Sequence, residues 1–191
     1  MGKNRIEAFS DGVLAIIITI MVLEIKVPHG SALSDLLPLI PVFISYVLSF
    51  LYIGIYWGNH HHLIHTATHV NGKIILANLH LLFWLSLIPF TTGWMGENHF
   101  DPNPVALYAT NLLIAGFAYF ILQKVIERSV HADGNLNHAF QKHSQKGIIS
   151  QVSYASAIPL AYVHPMISGI IFLLIAILWI IPDREIEKAI K

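Results

Sequence analysis

The chain has 191 residues, 55% of them apolar and only 12% charged, and its formal charges cancel. A soluble domain carries about 25% charged residues, so this composition is that of a polytopic, all-α membrane protein. There is no cysteine, which excludes disulfides and thiolate metal sites, and no basic tract that points to nucleic acid.

The first span is expected over 4–26, stopped by Pro28 and Gly30. Its uncharged run, residues 12–23 between Asp11 and Glu24, gives about 18 Å of helix against the roughly 30 Å of a bilayer core. To cross, the helix must carry Arg5, Glu7, Ser10 and Asp11 to membrane depth or its edge, where ionisable groups need protein or water around them. Two local readings compete. Ser10 or Asp11 could cap a helix that starts there, leaving residues 3–9 as an interfacial turn and the span too short. The preferred reading is a continuous helix with Arg5 and Asp11 bonded to neighbouring helices. Lys3 and Arg5 ahead of an apolar stretch resemble a signal peptide, but Glu7 and Asp11 interrupt the pattern, so a retained first span is expected. At 100° per residue Phe9, Gly12, Ile16, Ile20, Leu23 and Val27 share one face, with Thr19 at its edge. The helix is apolar all round, so periodicity alone does not say whether that face meets lipid, core or a pore.

The second span is expected over 36–64, with Pro38 and Pro41 in its opening turns. Its end carries His60, His61, His62, His65 and His69, out of twelve histidines in all. His61, His65 and His69 fall at i, i+4 and i+8, a spacing at which imidazoles bind Zn, Ni or Cu. No Cys, Asp or Glu stands near them, so the plainer reading is a polar helix end with no metal. Pairing of His80 or His164 with one of these histidines around a haem is a further option. The third span, 71–95, should kink at Pro89. The remaining spans are expected over 104–128, 143–164 and 165–182. The fifth is unusually polar, with Ser144, Gln145, Lys146, Ser150, Gln151, Ser153 and Ser156. These six spans make one membrane domain over 1–191.

If both termini are cytoplasmic, one side collects Lys3, Arg5, Lys73, Lys124, Arg128, Lys142, Lys146, Arg184, Lys188 and Lys191, leaving Lys26 on the other. That asymmetry follows the positive-inside rule and supports an even number of spans. The loop 96–104 on the opposite side holds Glu97 and Asp101 and no Lys or Arg. No nucleophile elbow, phosphate loop, metalloprotease helix or paired intramembrane carboxylates occur, so an enzyme is not expected. The glycine-rich carbonyl filter of ordinary potassium channels is also missing.

Arg5-Ile6-Glu7-Ala8-Phe9-Ser10-Asp11 resembles the Arg-x-x-x-Phe-Ser-Asp signature of the transmembrane protein 175 potassium channel family. Trp57-Gly58-Asn59-His60-His61 is similar to that family's second recurring string, Trp-x-Asn-His-His. The resemblance implies a potassium-permeable channel with no cofactor, built as a homotetramer in a prokaryotic plasma membrane. It also implies a central pore lined by the first helix, with a hydrophobic constriction at Ile16, further apolar rings at Ile20 and Leu23, and a selectivity role for Thr19. Arg5, Phe9, Ser10, Asp11, Trp57, Asn59, His60 and His61 are implied to tether that helix to its neighbours. The rival reading is a proton- or cation-linked secondary transporter that uses the histidine-rich segment as a relay.

Overall fold

A computed structural model describes residues 2–130 and 134–180. Among these residues there are seven α-helices and no strand: α1 (Lys3–Leu23), α2 (Ile40–Thr66), α3 (Gly72–Ser86), α4 (Ile88–Glu97), α5 (Pro102–Glu127), α6 (Gly134–Val163) and α7 (Pro165–Ile180). A 3-10 helix over Leu33–Leu39 leads into α2 and contains Pro38, while Pro41 lies in the first turn of α2. α3 and α4 form one segment broken at Leu87, so the helices make six segments. By length and apolarity Lys3–Leu23, Leu33–Thr66, Gly72–Glu97 and Pro102–Glu127 are each sufficient to cross a membrane. Among the described residues α7 is apolar and has 16 residues.

The break is at the expected proline. Pro89 has no N–H to donate to Leu85, and its ring crowds that carbonyl, so the ladder stops and restarts with Pro89 in the first turn of α4. α3 itself opens on Asn71, whose side chain accepts from the Ile74 N–H at 3.0 Å. α4 closes through a short connection in which His99 and Phe100 take left-handed φ values of 51° and 61°.

α5 is the central post. Tyr108, Ala109, Leu112, Ala115, Ala118 and Leu122 are fully buried along it, and Ala157 and Ala161 are fully buried on α6. Small residues there bring the backbones close, which is how helices gain contact where lipid offers no hydrophobic drive. Gly96 does the same between α4 and α2, since a β-carbon would lie 2.7 Å from Cα of Val42. Buried polar groups are paired across helices: Ser49 Oγ lies 2.7 Å from Thr92 Oγ1 and 2.9 Å from Tyr108 Oη. Tyr52 Oη donates to the Phe172 carbonyl at 2.7 Å.

Three expectations need correction. α6 begins at Gly134 rather than near 143, because Gln123 of α5 reaches into its polar first half and donates to Phe140 O and Ser144 Oγ. Those bonds give the polar turns tertiary support that apolarity does not. α1 ends at Leu23, so Val27 lies beyond the helix and cannot continue its strip. α2 ends at Thr66, where Ala67 turns to extended backbone. Arg184, Lys188 and Lys191, counted above for sidedness, lie outside the described residues, as do the last two positions expected for the sixth span.

Candidate permeation helix and its anchor

α1 is continuous from Lys3, with Gly2 as its N-cap, so neither Ser10 nor Asp11 starts the helix. One side of it is packed: Ile6, Ser10, Leu14, Ile17 and Met21 are buried. The opposite side is bare. Ile16 is 59% exposed and Leu23 79%, and Phe9, Ile20 and Thr19 are exposed with them. The protomer therefore selects a face that periodicity left open.

What holds that rotation is a directed chain of hydrogen bonds. His60 Nε2 of α2 and Asn78 Oδ1 of α3 are 2.6 Å apart. Asn78 Nδ2 donates to Ser10 Oγ at 3.0 Å, and Ser10 Oγ donates to the Ile6 carbonyl at 2.8 Å. With Asn78 Nδ2 spent on Ser10, its Oδ1 is the acceptor, so the His60 ring carries its proton on Nε2. All three side chains are buried. A second tie lies at the rim, where Trp57 Nε1 donates to Asp11 Oδ1 at 3.0 Å. A third closes the foot: Lys3 Nζ donates to the His65 carbonyl at 2.6 Å. Thus α2 holds α1 directly at two levels and through Asn78 of α3 at a third.

The other motif residues divide. Asn59 donates to the Ile55 carbonyl on its own helix, and its own carbonyl accepts from Tyr119 Oη, tying α2 to α5. His61 Nδ1 is 4.0 Å from Glu7 Oε1, an oxygen that is buried without a hydrogen bond. Arg5 is exposed, and its side chain makes no hydrogen bond with the described residues. So of the two groups expected to bond to neighbouring helices, Asp11 does so within the protomer and Arg5 does not.

The proposed histidine face is not assembled. His61 and His65 meet edge-to-face on α2 with ring centroids 5.9 Å apart, but His69 lies past the end of the helix, so the i+8 position is not on the same helical face. Among the described residues no three His, Cys, Asp or Glu converge on a metal site. His80 Nε2 accepts from Trp84 Nε1, and His164 Nδ1 accepts from the Met166 N–H, so both are used locally.

Thr19 has a geometry of its own. Its hydroxyl donates to the Ile16 carbonyl at 2.9 Å, which turns the oxygen lone pairs away from the backbone on the exposed side. At the far end, Lys26 and Glu97 pair at 2.6 Å, and that hydrogen bond holds the exposed lysine above its ordinary pKa. A groove of about 520 Å³ runs between α1 and α4, lined by Val13, Ile16, Ile17, Ile20, Phe90 and Gly93 among others.

Sequence reasoning missed Asn78. Its signal was there: it is one amide inside the apolar run Ile74–Leu87, and an amide in hydrocarbon needs a partner.

A family model described as "Endosomal/lysosomal potassium channel TMEM175" matches residues 5–89, from the first arginine of α1 through the break at Pro89. A potassium channel of Chryseobacterium sp. (strain P1-3) is 52% identical over 192 residues, covering 100% of this chain and 99% of that one. An endosomal/lysosomal proton channel of Gallus gallus is 28% identical over 162 residues, which span 76% of this chain and 32% of that protein. Among solved structures, a lysosomal potassium-selective channel TMEM175 homolog from Chamaesiphon minutus superposes with a TM-score of 0.82. It is 27% identical, covering 93% of this chain and 95% of the other.

Asn78→Leu leaves the His60 ring nitrogen and Ser10 without their partner in a dry setting, at a cost of about 1–3 kcal/mol. Thermal unfolding of the purified protein should show a clear drop in midpoint; an unchanged midpoint would remove this chain of bonds from the anchor.

Proposed function

The chain belongs to the TMEM175 potassium channel family, a family of channels rather than enzymes, and from that membership we propose how its own residues conduct. Four copies surround a common axis with α1 innermost, in a prokaryotic plasma membrane with both termini cytoplasmic, and 1–191 acts as one channel domain. Potassium passes without a carbonyl filter. Ile16, Ile20 and Leu23 form successive apolar rings, and the narrowest of them, at Ile16, stops flow by expelling water. Thr19 oxygens present lone pairs to a partly dehydrated ion and favour potassium modestly over sodium. Closed rotational symmetry is the assembly such a pore requires.

The observation that carries this reading is the bare side of α1. An apolar strip alone would suit acyl chains equally well. This side, however, also exposes Arg5 at the foot, in line with Leu23 and Ile16, and Thr19 midway. A guanidinium in hydrocarbon costs roughly 2.5–3.5 kcal/mol on insertion scales, so a side that carries one suits an aqueous axis and neighbouring subunits. The bonded Thr19 proton adds to this, because it leaves acceptor character outward.

Purified protein in liposomes should pass potassium down a gradient with no co-substrate; flux that saturates and needs a second ion would favour a coupled transporter. Ile16→Asn wets the constriction and should raise leak flux severalfold. An unchanged flux removes Ile16 from the gate. Thr19→Val removes the hydroxyl at constant shape and should move the bi-ionic reversal potential toward equal potassium and sodium permeability. An unmoved potential assigns selectivity elsewhere.

A further inference from the structure

Behind α2, on the side away from α1, each protomer encloses a cavity of about 230 Å³ between α2, α5 and α6. Tyr56, Tyr119, Phe117, Phe120 and Trp179 give it an aromatic wall. That volume exceeds what a few waters fill, at about 30 Å³ each, and falls below the roughly 300–1,000 Å³ of drug-sized sites. Its mouth is edged by Phe117, Ile148 and Val152, all exposed on the outer surface of the helices, so entry is from the bilayer.

Among the polar side chains of the wall, those of Tyr56 and Gln151 bond to none of the described residues. Tyr56 is only 9% exposed, yet its hydroxyl bonds to none of the described residues. Its neighbours differ: the Tyr52, Tyr108 and Tyr119 hydroxyls bond to Phe172 O, Ser49 Oγ and Asn59 O. The Gln151 amide also bonds to none of the described residues, and it is laid against α5 where only Gly116 leaves room. A β-carbon at Gly116 would collide with Gln151 Nε2 and would stand 3.6 Å from Tyr56 Oη. A hydroxyl and an amide thus share one corner of an aromatic chamber, and polar groups left unpaired in an apolar setting are costly. No Asp, Glu, Lys or Arg lines the cavity. The occupant that answers this wall is uncharged, flat and tipped with one hydrogen-bonding group.

We propose that the cavity is a binding site for a neutral, ring-containing amphiphile that enters from the bilayer, stacks on Tyr119 and Phe117, and hydrogen-bonds to Tyr56 Oη and the Gln151 amide. The site backs onto the turn of α2 that carries Trp57, bonded to Asp11 of α1, and His60, bonded to Asn78 of α3.

The test uses para-phenylphenol, a neutral two-ring phenol, with the full chain in phosphatidylcholine nanodiscs. Binding is read by equilibrium dialysis of labelled probe and by the shift in unfolding midpoint, neither of which depends on ion flux. Saturable uptake of one probe per protomer is expected. Tyr56→Phe, which keeps the ring, should weaken it roughly tenfold. Val152→Trp, placed at the lipid-facing mouth where folding is not at stake, should abolish it. Uptake that never saturates, or saturable uptake equal in all three proteins, would overturn the proposal. So would the absence of uptake beyond empty nanodiscs, which leaves the cavity to water.

Discussion

The bond chain from His60 through Asn78 to Ser10 fixes which way α1 faces. Rotating α1 by one residue, 100°, would carry Ser10 out of reach of Asn78 and leave two buried polar groups unpaired. In a low-dielectric bundle that penalty is large compared with the small differences among Ile, Leu and Val contacts on an all-apolar helix. Ile16 and Leu23 lie roughly 120–140° round the helix from Ser10. Holding Ser10 inward therefore holds those two outward. A polar contact, rather than hydrophobic patterning, orients α1.

α2 is the element that makes this possible, because it serves two masters. One side carries Trp57 and His60 toward α1 and α3. The other carries Tyr52, Tyr56 and Asn59 toward α5, α6 and α7. The bundle around α5 is the rigid body, cemented by Ser49, Thr92 and Tyr108 and by close alanine contacts. α1 is attached to that body through Asn78 of α3 and by direct bonds at two levels of α2, and its remaining surface is left for other partners. Such a layout would let α1, in its proposed place at the axis, shift without unpacking the domain that supports it.

Much of this was legible in the residues. The helical segments, the break at Pro89 and the continuity of α1 through Asp11 follow from apolar run lengths and proline chemistry. The face of α1 did not follow, since residues 12–23 are almost wholly apolar on every side and the packed side is chosen by Ser10 meeting Asn78 of another helix. Asn78 escaped notice because its meaning depends on Ser10 and His60, which lie 68 and 18 residues away in the chain. His69 was misplaced because no Gly or Pro marks the end of α2; the chain simply turns at Ala67. The helix of the fifth span starts at Gly134, ahead of the expected 143, and its polar turns are supported by Gln123, a residue of another helix. For the face of α1, for Asn78 and for the start of α6 the deciding interaction was non-local.

The cysteine-free sequence allows the most direct test of where the bare side of α1 points. Leu23→Cys, reconstituted in liposomes, would be treated with a membrane-impermeant cationic thiol reagent while potassium flux is followed. If α1 lines the axis, labelling occurs from water and flux stops, and a reducing agent restores it. A Leu23→Cys protein that stays unlabelled, or that labels fully and conducts as before, would put this strip against lipid and contradict the account.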